Sequence, residues 1–190
     1  MILAGGSSTR MGENKLLLRL DGETLIVRAV RRAAAAGLDP VIVVLGHEAE
    51  RVRIALDGLA CRTVVNRDHA SGQATSFAAG IEALAASTQA AVVLLPDMPL
   101  VTAEMVVAVV ACYREARAPL VISDYAGIAA PPTLYDRSLF PEIRSGGVRG
   151  RDVVLRHRRQ ARVLEWPADR LADLDEPGDV LRLRPGAGGA

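Results

Sequence analysis

Short runs of aliphatic and β-branched residues alternate along the chain with longer segments of helical periodicity. Such alternation is typical of a mainly parallel sheet covered by helices on both faces. The strand-like runs are Ile2–Ala4, Val41–Leu45, Arg62–Val65, Ala91–Leu95, Leu120–Ser123 and Arg162–Trp166, and the helical segments run from Thr24 to Ala36, up to about Leu56, from Ser71 to about Ala85 and from Thr102 to about Ala116. We therefore predict an α/β fold of Rossmann-like type with three α/β/α layers.

The run Ala91–Leu95 is the most apolar of these strands, and we expect it at the centre of the sheet. After Tyr125 the alternation becomes irregular, and residues 127–135 are predicted to form a loop that leads through the Pro131-Pro132 pair into a short strand. Further helices are expected over Arg137–Ile143, over Arg149–His157 and, as a last turn or two, over Pro177–Leu183.

Length and composition exclude several classes of protein. The 23 basic and 22 acidic residues leave a net charge of +1, which argues against a general nucleic-acid binder. No uncharged apolar run reaches the roughly 18 residues that a membrane-spanning helix needs, so we expect a cytoplasmic protein without a membrane partner. The two cysteines, Cys61 and Cys112, form neither a disulfide scaffold nor a zinc pattern. We expect one domain over residues 1–184 and a disordered tail over 185–190.

The strongest chemical signal is the loop that follows the first strand, residues 3–15. It is rich in glycine and serine, and it carries two cations, Arg10 and Lys15, the second of which is the only lysine in the chain. Glycines let backbone N–H groups approach an anion. Arg10 can donate two hydrogen bonds to a phosphate group, and Lys15 supplies a compact positive charge. The spacing matches neither the Walker A loop nor the dinucleotide fingerprint, so the pattern predicts a phosphate loop of another kind.

The residues L-A-G-G-x-S-x-R-M-G-x-x-K in this loop resemble the signature of the MobA-like nucleotidyltransferases, and most of all the branch of molybdenum cofactor cytidylyltransferases. These enzymes transfer a nucleoside monophosphate from an NTP to a phosphate or sugar phosphate. The resemblance implies a fold of the nucleotide-diphospho-sugar transferase type. It also implies a nucleotide site made by Leu3, Ala4, Gly5, Gly6, Ser7, Arg10 and Lys15, with Arg10 and Lys15 neutralising the triphosphate during catalysis.

Asp97 follows the most apolar strand and is expected at its carboxyl end, where open α/β sheets bind ligands. A carboxylate there is well placed to hold Mg²⁺, although a turn-forming Asp before a proline has the same local pattern. The resemblance favours the metal and gives Asp97 a catalytic role. It also implies that Asp175 completes the metal site, whereas acids before Pro177 are equally typical of a helix N-terminus.

A second loop at this edge of the sheet begins at Asn66. The resemblance implies that Asn66, Gly72 and Ser76 contact the base and ribose. We expect His69 in this loop to be solvent-exposed rather than a catalytic base. None of the three histidines has a Ser, Cys or His partner at an informative spacing, so nucleophilic triad chemistry has no support.

Residues 144–162 contain seven arginines and one acid, Asp152. They form either a solvated helix face or a cationic wall for an anionic acceptor. The chain departs from the cytidylyltransferase branch at Ala130-Pro131-Pro132, where that branch has G-H-P with a histidine near the acceptor. Its Leu3-Ala4-Gly5-Gly6 start is associated with guanylyl transfer, so the base stays open.

The resemblance, together with the residues that carry it, predicts a Mg²⁺-dependent nucleotidyltransferase. Its expected substrates are an NTP, with CTP favoured, and a phosphorylated acceptor such as molybdopterin. A molybdoenzyme or its chaperone is a further candidate partner. Two alternatives stay open. One is guanylyl transfer, or transfer to a sugar or polyol phosphate, on the same fold. The other is a non-catalytic nucleotide- or cofactor-binding accessory of molybdoenzyme maturation.

Overall fold

A computed structural model describes residues 1–6 and 14–172. Its strands are β1 (Ile2–Ala4), β2 (Arg19–Leu20), β3 (Glu23–Thr24), β4 (Ile42–Leu45), β5 (Arg62–Val65), β6 (Ala90–Val93), β7 (Leu120–Tyr125), β8 (Ile128–Asp136) and β9 (Arg162–Trp166). Its helices are α1 (Leu25–Ala35), α2 (Ala49–Ala55), α3 (Gln73–Glu82), α4 (Ala103–Ala116), α5 (Phe140–Arg144) and α6 (Gly150–His157). The expected last helical turn and the tail lie outside the described residues.

Seven strands line up side by side in the order β5-β4-β1-β6-β8-β7-β9. The two halves meet between β1 and the end of β6, where Leu94 N donates to Met1 O at 2.9 Å and Leu3 N donates to Leu94 O at 3.1 Å. All neighbours are parallel except those of β8, which runs antiparallel to both β6 and β7. The expected central position of the most apolar strand is confirmed.

Alternate side chains of the central strands point into two separate cores. Val43 and Leu45 of β4 pack in one core with residues of α1, α2 and α4, whereas Ile42 and Val44 pack in the other with residues of α3, α5 and α6. Burying both faces of a sheet in this way produces the three α/β/α layers. The predicted fold class is therefore confirmed.

The segment predicted as a loop, residues 127–135, is instead most of β8. The prediction failed because prolines lack the N–H that a strand ladder uses. Here the β7–β8 register shifts between Val121 and Ser123, at the level of the proline pair. The Ser123 hydroxyl donates to Pro132 O and the Tyr125 hydroxyl to Pro131 O, each at 2.7 Å. These two side chains thereby donate to the proline carbonyls at the point where the strand ladder is interrupted.

Two further sequence expectations concern single features. The helix predicted from Thr102 is α4, and the Thr102 side chain caps it by accepting from Met105 N at 3.3 Å. The two cysteines form no disulfide, and burial raises the pKa of the Cys61 thiol. Within residues 1–6 and 14–172, no helix has the length and hydropathy required to cross a membrane.

Candidate nucleotide site

Three loops converge at the carboxyl edge of the parallel strands. The residues after β1, after β5 and after β6 line a cleft of about 350 Å³. The cleft contains eight of the predicted site residues, namely Leu3, Ala4, Gly5, Gly6, Lys15, Gly72, Ser76 and Asp97. The predicted residues Ser7, Arg10 and Asp175 lie outside the described part of the chain. Sequence positions that are up to 94 apart thus meet in one cleft because parallel strands end at the same edge.

Lys15 and Asp97 form an ion pair in this cleft, with 2.5 Å between Lys15 Nζ and Asp97 Oδ2. Their side chains are 21% and 19% exposed, so both are largely shielded from water. Asn14 positions the lysine: its side-chain Oδ1 accepts from Leu16 N at 3.1 Å and begins a short 3₁₀ turn over Lys15–Leu17. Leu16 is buried and anchors this turn in the core. Neither Asn14 nor Leu16 was predicted as a site residue.

The other carboxylate oxygen of Asp97 bears on metal binding. Oδ1 is buried and has no hydrogen-bond partner among the described residues. Leaving a carboxylate oxygen buried without a partner is costly, and a bound cation would remove that cost. Mg²⁺ binds through one or two carboxylates together with phosphate oxygens and water. Asp97 therefore fits a metal ligand, while the described residues contain no cluster of three or more His, Cys, Asp or Glu side chains for a metal.

Glycines allow the loops to approach one another. A Cβ atom on Gly5 would lie 2.5 Å from Ser76 Oγ. One on Gly46 would lie 2.6 Å from both the Gly5 carbonyl oxygen and His69 Cβ, closer than real Cβ contacts. Gly46 was not singled out from the sequence, because only the tertiary structure reveals that three loops cross at this residue.

The Asn66 side chain makes hydrogen bonds within the loop that follows β5 and to the start of α3. Its Nδ2 donates to Thr75 Oγ1 at 2.9 Å and to Ser76 Oγ at 3.0 Å, and its Oδ1 accepts from Asp68 N at 2.9 Å. The side chain is buried and does not line the cleft. Its predicted contact with the base therefore stays a prediction, whereas its bond to Ser76 holds a cleft residue in place.

His69 differs from the expectation of a solvent-exposed loop residue. It is half-buried, lines the cleft and contacts His47 edge-on, with ring centroids 6.3 Å apart. The reason is that its loop folds back over Gly46 instead of extending into solvent.

A second pocket, of about 480 Å³, adjoins the cleft. The two share Leu3, Gln73 and Leu95, so together they form one continuous groove. Gln73, the first residue of α3, was missed from the sequence, although its place between Gly72 and Ser76 was an available signal. The walls of the second pocket come from β8 and α6, and Pro131, at the position where the cytidylyltransferase branch has its histidine, is part of its lining.

The structure separates the seven arginines of residues 144–162 into groups. Arg149 pairs with Asp152 at 3.1 Å and Arg156 with Glu142 at 2.7 Å, on the surface of α5 and α6. Only Arg151 and Arg158 line the second pocket. The two interpretations of this segment thus apply to different residues: most belong to a solvated face, and two belong to a cationic wall.

Comparison with known proteins identifies the family. The sequence profile of the MobA-like NTP transferase domain matches residues 1–166. The chain belongs to this family. The predicted resemblance is therefore confirmed at the level of the family, whose members are nucleotidyltransferases.

Individual relatives of this MobA-like chain carry different names. A bifunctional protein GlmU of Anaeromyxobacter dehalogenans is 36% identical over 62% of this chain and 25% of its own length. A "probable molybdenum cofactor guanylyltransferase" of Opitutus terrae is 38% identical over 54% of this chain and 48% of its own. The chain spans about a quarter of the length of the GlmU relatives.

Among solved structures, Rv0371c of Mycobacterium tuberculosis in complex with manganese superposes with a TM-score of 0.74. It is 25% identical to this chain and covers 95% of this chain and 94% of its own. The likeness extends over nearly the whole MobA-like chain, which agrees with the confirmed fold class.

Proposed function

We propose that the chain is a Mg²⁺-dependent nucleotidyltransferase that moves a nucleoside monophosphate from an NTP to a phosphorylated acceptor and releases pyrophosphate. The observation that carries this proposal is the Lys15–Asp97 pair at the centre of a glycine-lined cleft. One side chain supplies a cation for phosphate oxygens, and the other supplies a carboxylate with a buried, unpartnered oxygen for a metal. A second substrate has room in the adjoining pocket.

In the proposed reaction, an oxygen of the acceptor phosphate attacks the α-phosphorus of the NTP. A new P–O bond forms to the acceptor, while the bond from the α-phosphorus to the oxygen bridging to the β-phosphate breaks. That oxygen keeps the electron pair and leaves as part of pyrophosphate. Because the acceptor is itself the nucleophile, the protein acts by positioning both substrates and neutralising charge.

Each proposed catalytic residue has one role in this scheme. Lys15 and Arg10 neutralise the negative charge that builds up on the leaving pyrophosphate. Asp97, with Asp175, would hold Mg²⁺, which when bound neutralises phosphate oxygens of the NTP. The backbone of Leu3, Ala4, Gly5, Gly6 and Ser7, with Asn66, Gly72 and Ser76, orients the nucleotide.

For the substrates, we propose CTP as the nucleotide and molybdopterin as the acceptor, with a molybdoenzyme or its chaperone as a candidate partner. The Opitutus terrae relative supports an acceptor of this kind through its name. The same name favours GTP as the second candidate nucleotide, in agreement with the Leu3-Ala4-Gly5-Gly6 start.

Pyrophosphate release tests the proposal. The purified chain is incubated with Mg²⁺, molybdopterin and each NTP in turn, and calorimetry compares the binding of CTP with that of GTP. We expect turnover with one nucleotide, and a loss of about 100-fold or more in Lys15→Ala and Asp97→Ala that stay folded by circular dichroism. Near-normal turnover of either folded variant contradicts the assigned roles. Saturable NTP binding without turnover on any acceptor would instead favour the non-catalytic accessory.

A further inference from the structure

One face of α6 forms a wall of the second pocket. Arg151, Val154 and Leu155 of α6 line it together with Arg158, the residue that directly follows the helix, and their spacing of three, four and seven residues places them on a single face. The facing wall is the first half of β8, from Ile128 to Pro131. The pocket is therefore bounded by a helix and a strand that are distant in sequence from the phosphate loop.

Two large apolar side chains on these walls are exposed. Leu155 is 62% exposed and Ile128 is 57% exposed, although both are aliphatic. Single exposed aliphatic residues are common on proteins, but two of them lining the same pocket form an apolar surface next to a proposed active site. A ligand that covered them would remove this surface from water.

The charge of the pocket is positive. No Asp or Glu is among the described residues that line it, and its only charged side chains are Arg151 and Arg158. Arg158 donates to Asp124 Oδ2 at 3.3 Å, which compensates part of its charge. The Arg151 side chain makes no hydrogen bond or ion pair with residues 1–6 or 14–172, in contrast to the side chains of Arg149 and Arg156. Arg151 is thus the cation of this wall that a ligand can use.

The pocket has few polar side chains for a ligand with many hydroxyl groups. Thr133 is buried, and the Tyr135 hydroxyl donates to Gly150 O at 3.4 Å. Gln73 is the remaining uncharged polar side chain of the lining. Hydroxyl groups that lose water without finding a hydrogen-bond partner weaken binding. These walls therefore disfavour a polyhydroxylated body and favour a flat or apolar one.

Building on the proposed function, we propose that Arg151 and Leu155 of α6, with Ile128 of β8, determine the specificity for the acceptor. Leu155 and Ile128 cover the faces of a flat, mainly apolar ring system. Arg151 binds an anionic group of the same molecule. The combination selects a phosphorylated ring compound over a phosphorylated polyol.

Binding of two model acceptors tests this proposal. The fluorescent probe 6-(hydroxymethyl)pterin phosphate carries one phosphate on a flat ring, and glucose 1-phosphate carries one on a polyol. Both are titrated by calorimetry into the full chain, with and without MgCTP. We expect the pterin phosphate to bind at least about tenfold more tightly, because burial of apolar surface contributes about 25 cal/mol per Å².

Variants with matched controls separate the two roles. Leu155→Ser and Ile128→Ser should each weaken the pterin phosphate by about five- to tenfold and leave glucose 1-phosphate within twofold. Ile54→Ser, which removes an equally exposed aliphatic side chain (61%) away from the pocket, should change neither. Arg151→Gln should weaken both phosphates by about tenfold, whereas Arg159→Gln, which lies outside the lining, should weaken neither.

The outcomes distinguish this proposal from the function on which it rests. MgCTP or MgGTP binding and turnover with any acceptor support the proposed function independently of α6. Equal affinity for the two probes, or tighter binding of glucose 1-phosphate, overturns the specificity proposal but leaves the proposed nucleotidyltransferase function unaffected. Effects of the control variants as large as those of the pocket variants overturn it as well.

Discussion

The Lys15–Asp97 pair allows a quantitative prediction. We consider Lys15→Met and Asp97→Asn, which remove one charge each and nearly preserve side-chain volume, and the double variant. At 4 Å and an effective dielectric constant of about 20, two unit charges attract by about 4 kcal/mol. The distance between Lys15 Nζ and Asp97 Oδ2 is 2.5 Å, but both side chains are about one-fifth exposed, which lets water and salt screen the pair. Charge-assisted hydrogen bonds contribute about 1.5–3 kcal/mol, so we expect a coupling free energy of about 2 kcal/mol.

The assay is a double-mutant cycle in urea, with the free energy of unfolding as the observable. Each single variant removes one half of the Lys15–Asp97 pair and should lose stability, whereas the double variant should lose less than the sum of both losses. For a domain of this size, 1 kcal/mol corresponds to about 2–4 °C in Tm, so thermal unfolding provides an independent measurement. A coupling free energy below about 0.3 kcal/mol would refute the reasoning, because the two substitutions would then be additive, as for a solvent-exposed ion pair.

Metal binding provides a second observable for the same pair. In Lys15→Met, Asp97 no longer has the ammonium group as a competitor for its carboxylate. Mn²⁺ should therefore bind the nucleotide-free variant about tenfold or more tightly than it binds the wild-type chain, although turnover falls. Asp97→Asn should lose Mn²⁺ binding instead. Unchanged Mn²⁺ affinity in both variants would separate Asp97 from the metal site.

Two further predictions concern packing and pH. Gly46→Ala places a methyl group against the Gly5 backbone, so we expect a loss of about 1–3 kcal/mol in unfolding free energy and weaker NTP binding by calorimetry, whereas Gly147→Ala, in open space, should be near neutral. Burial acts to raise the pKa of the Glu142 carboxyl, but hydrogen bonds, led by that from His157, outweigh it and hold this pKa below its ordinary value. The stabilisation is then present above the ordinary Glu pKa of about 4.3 and is lost as the pH falls below it. Glu142→Gln should therefore be less stable by about 0.5 kcal/mol at pH 6, and this difference should shrink as the pH falls below the ordinary Glu pKa; an equal difference at both pH values would contradict this.

Local patterns determined much of this protein in advance. The periodicity of the apolar residues was sufficient to predict the layered fold. Each spacing of apolar residues places them on one face of either a helix or a strand, but not of both. The central position of the strand before Asp97 followed from its uniform hydrophobicity. The glycine-rich loop with Lys15 pointed to phosphate chemistry through residue types alone, since glycine has no Cβ to keep an anion from the backbone and lysine supplies a compact ammonium group.

Other features were decided by tertiary structure. Residues 127–135 form a strand because hydroxyl groups of β7 bind the carbonyls of the proline pair, and nothing local to that segment reveals these donors. His69 lies in the cleft because Gly46, over twenty residues earlier, lets its loop fold inward. The packing of α6 against the sheet decides which arginines of residues 144–162 form ion pairs on the surface and which line the second pocket. In each case the deciding contact joins residues that are distant in sequence, so its energy is absent from any local pattern.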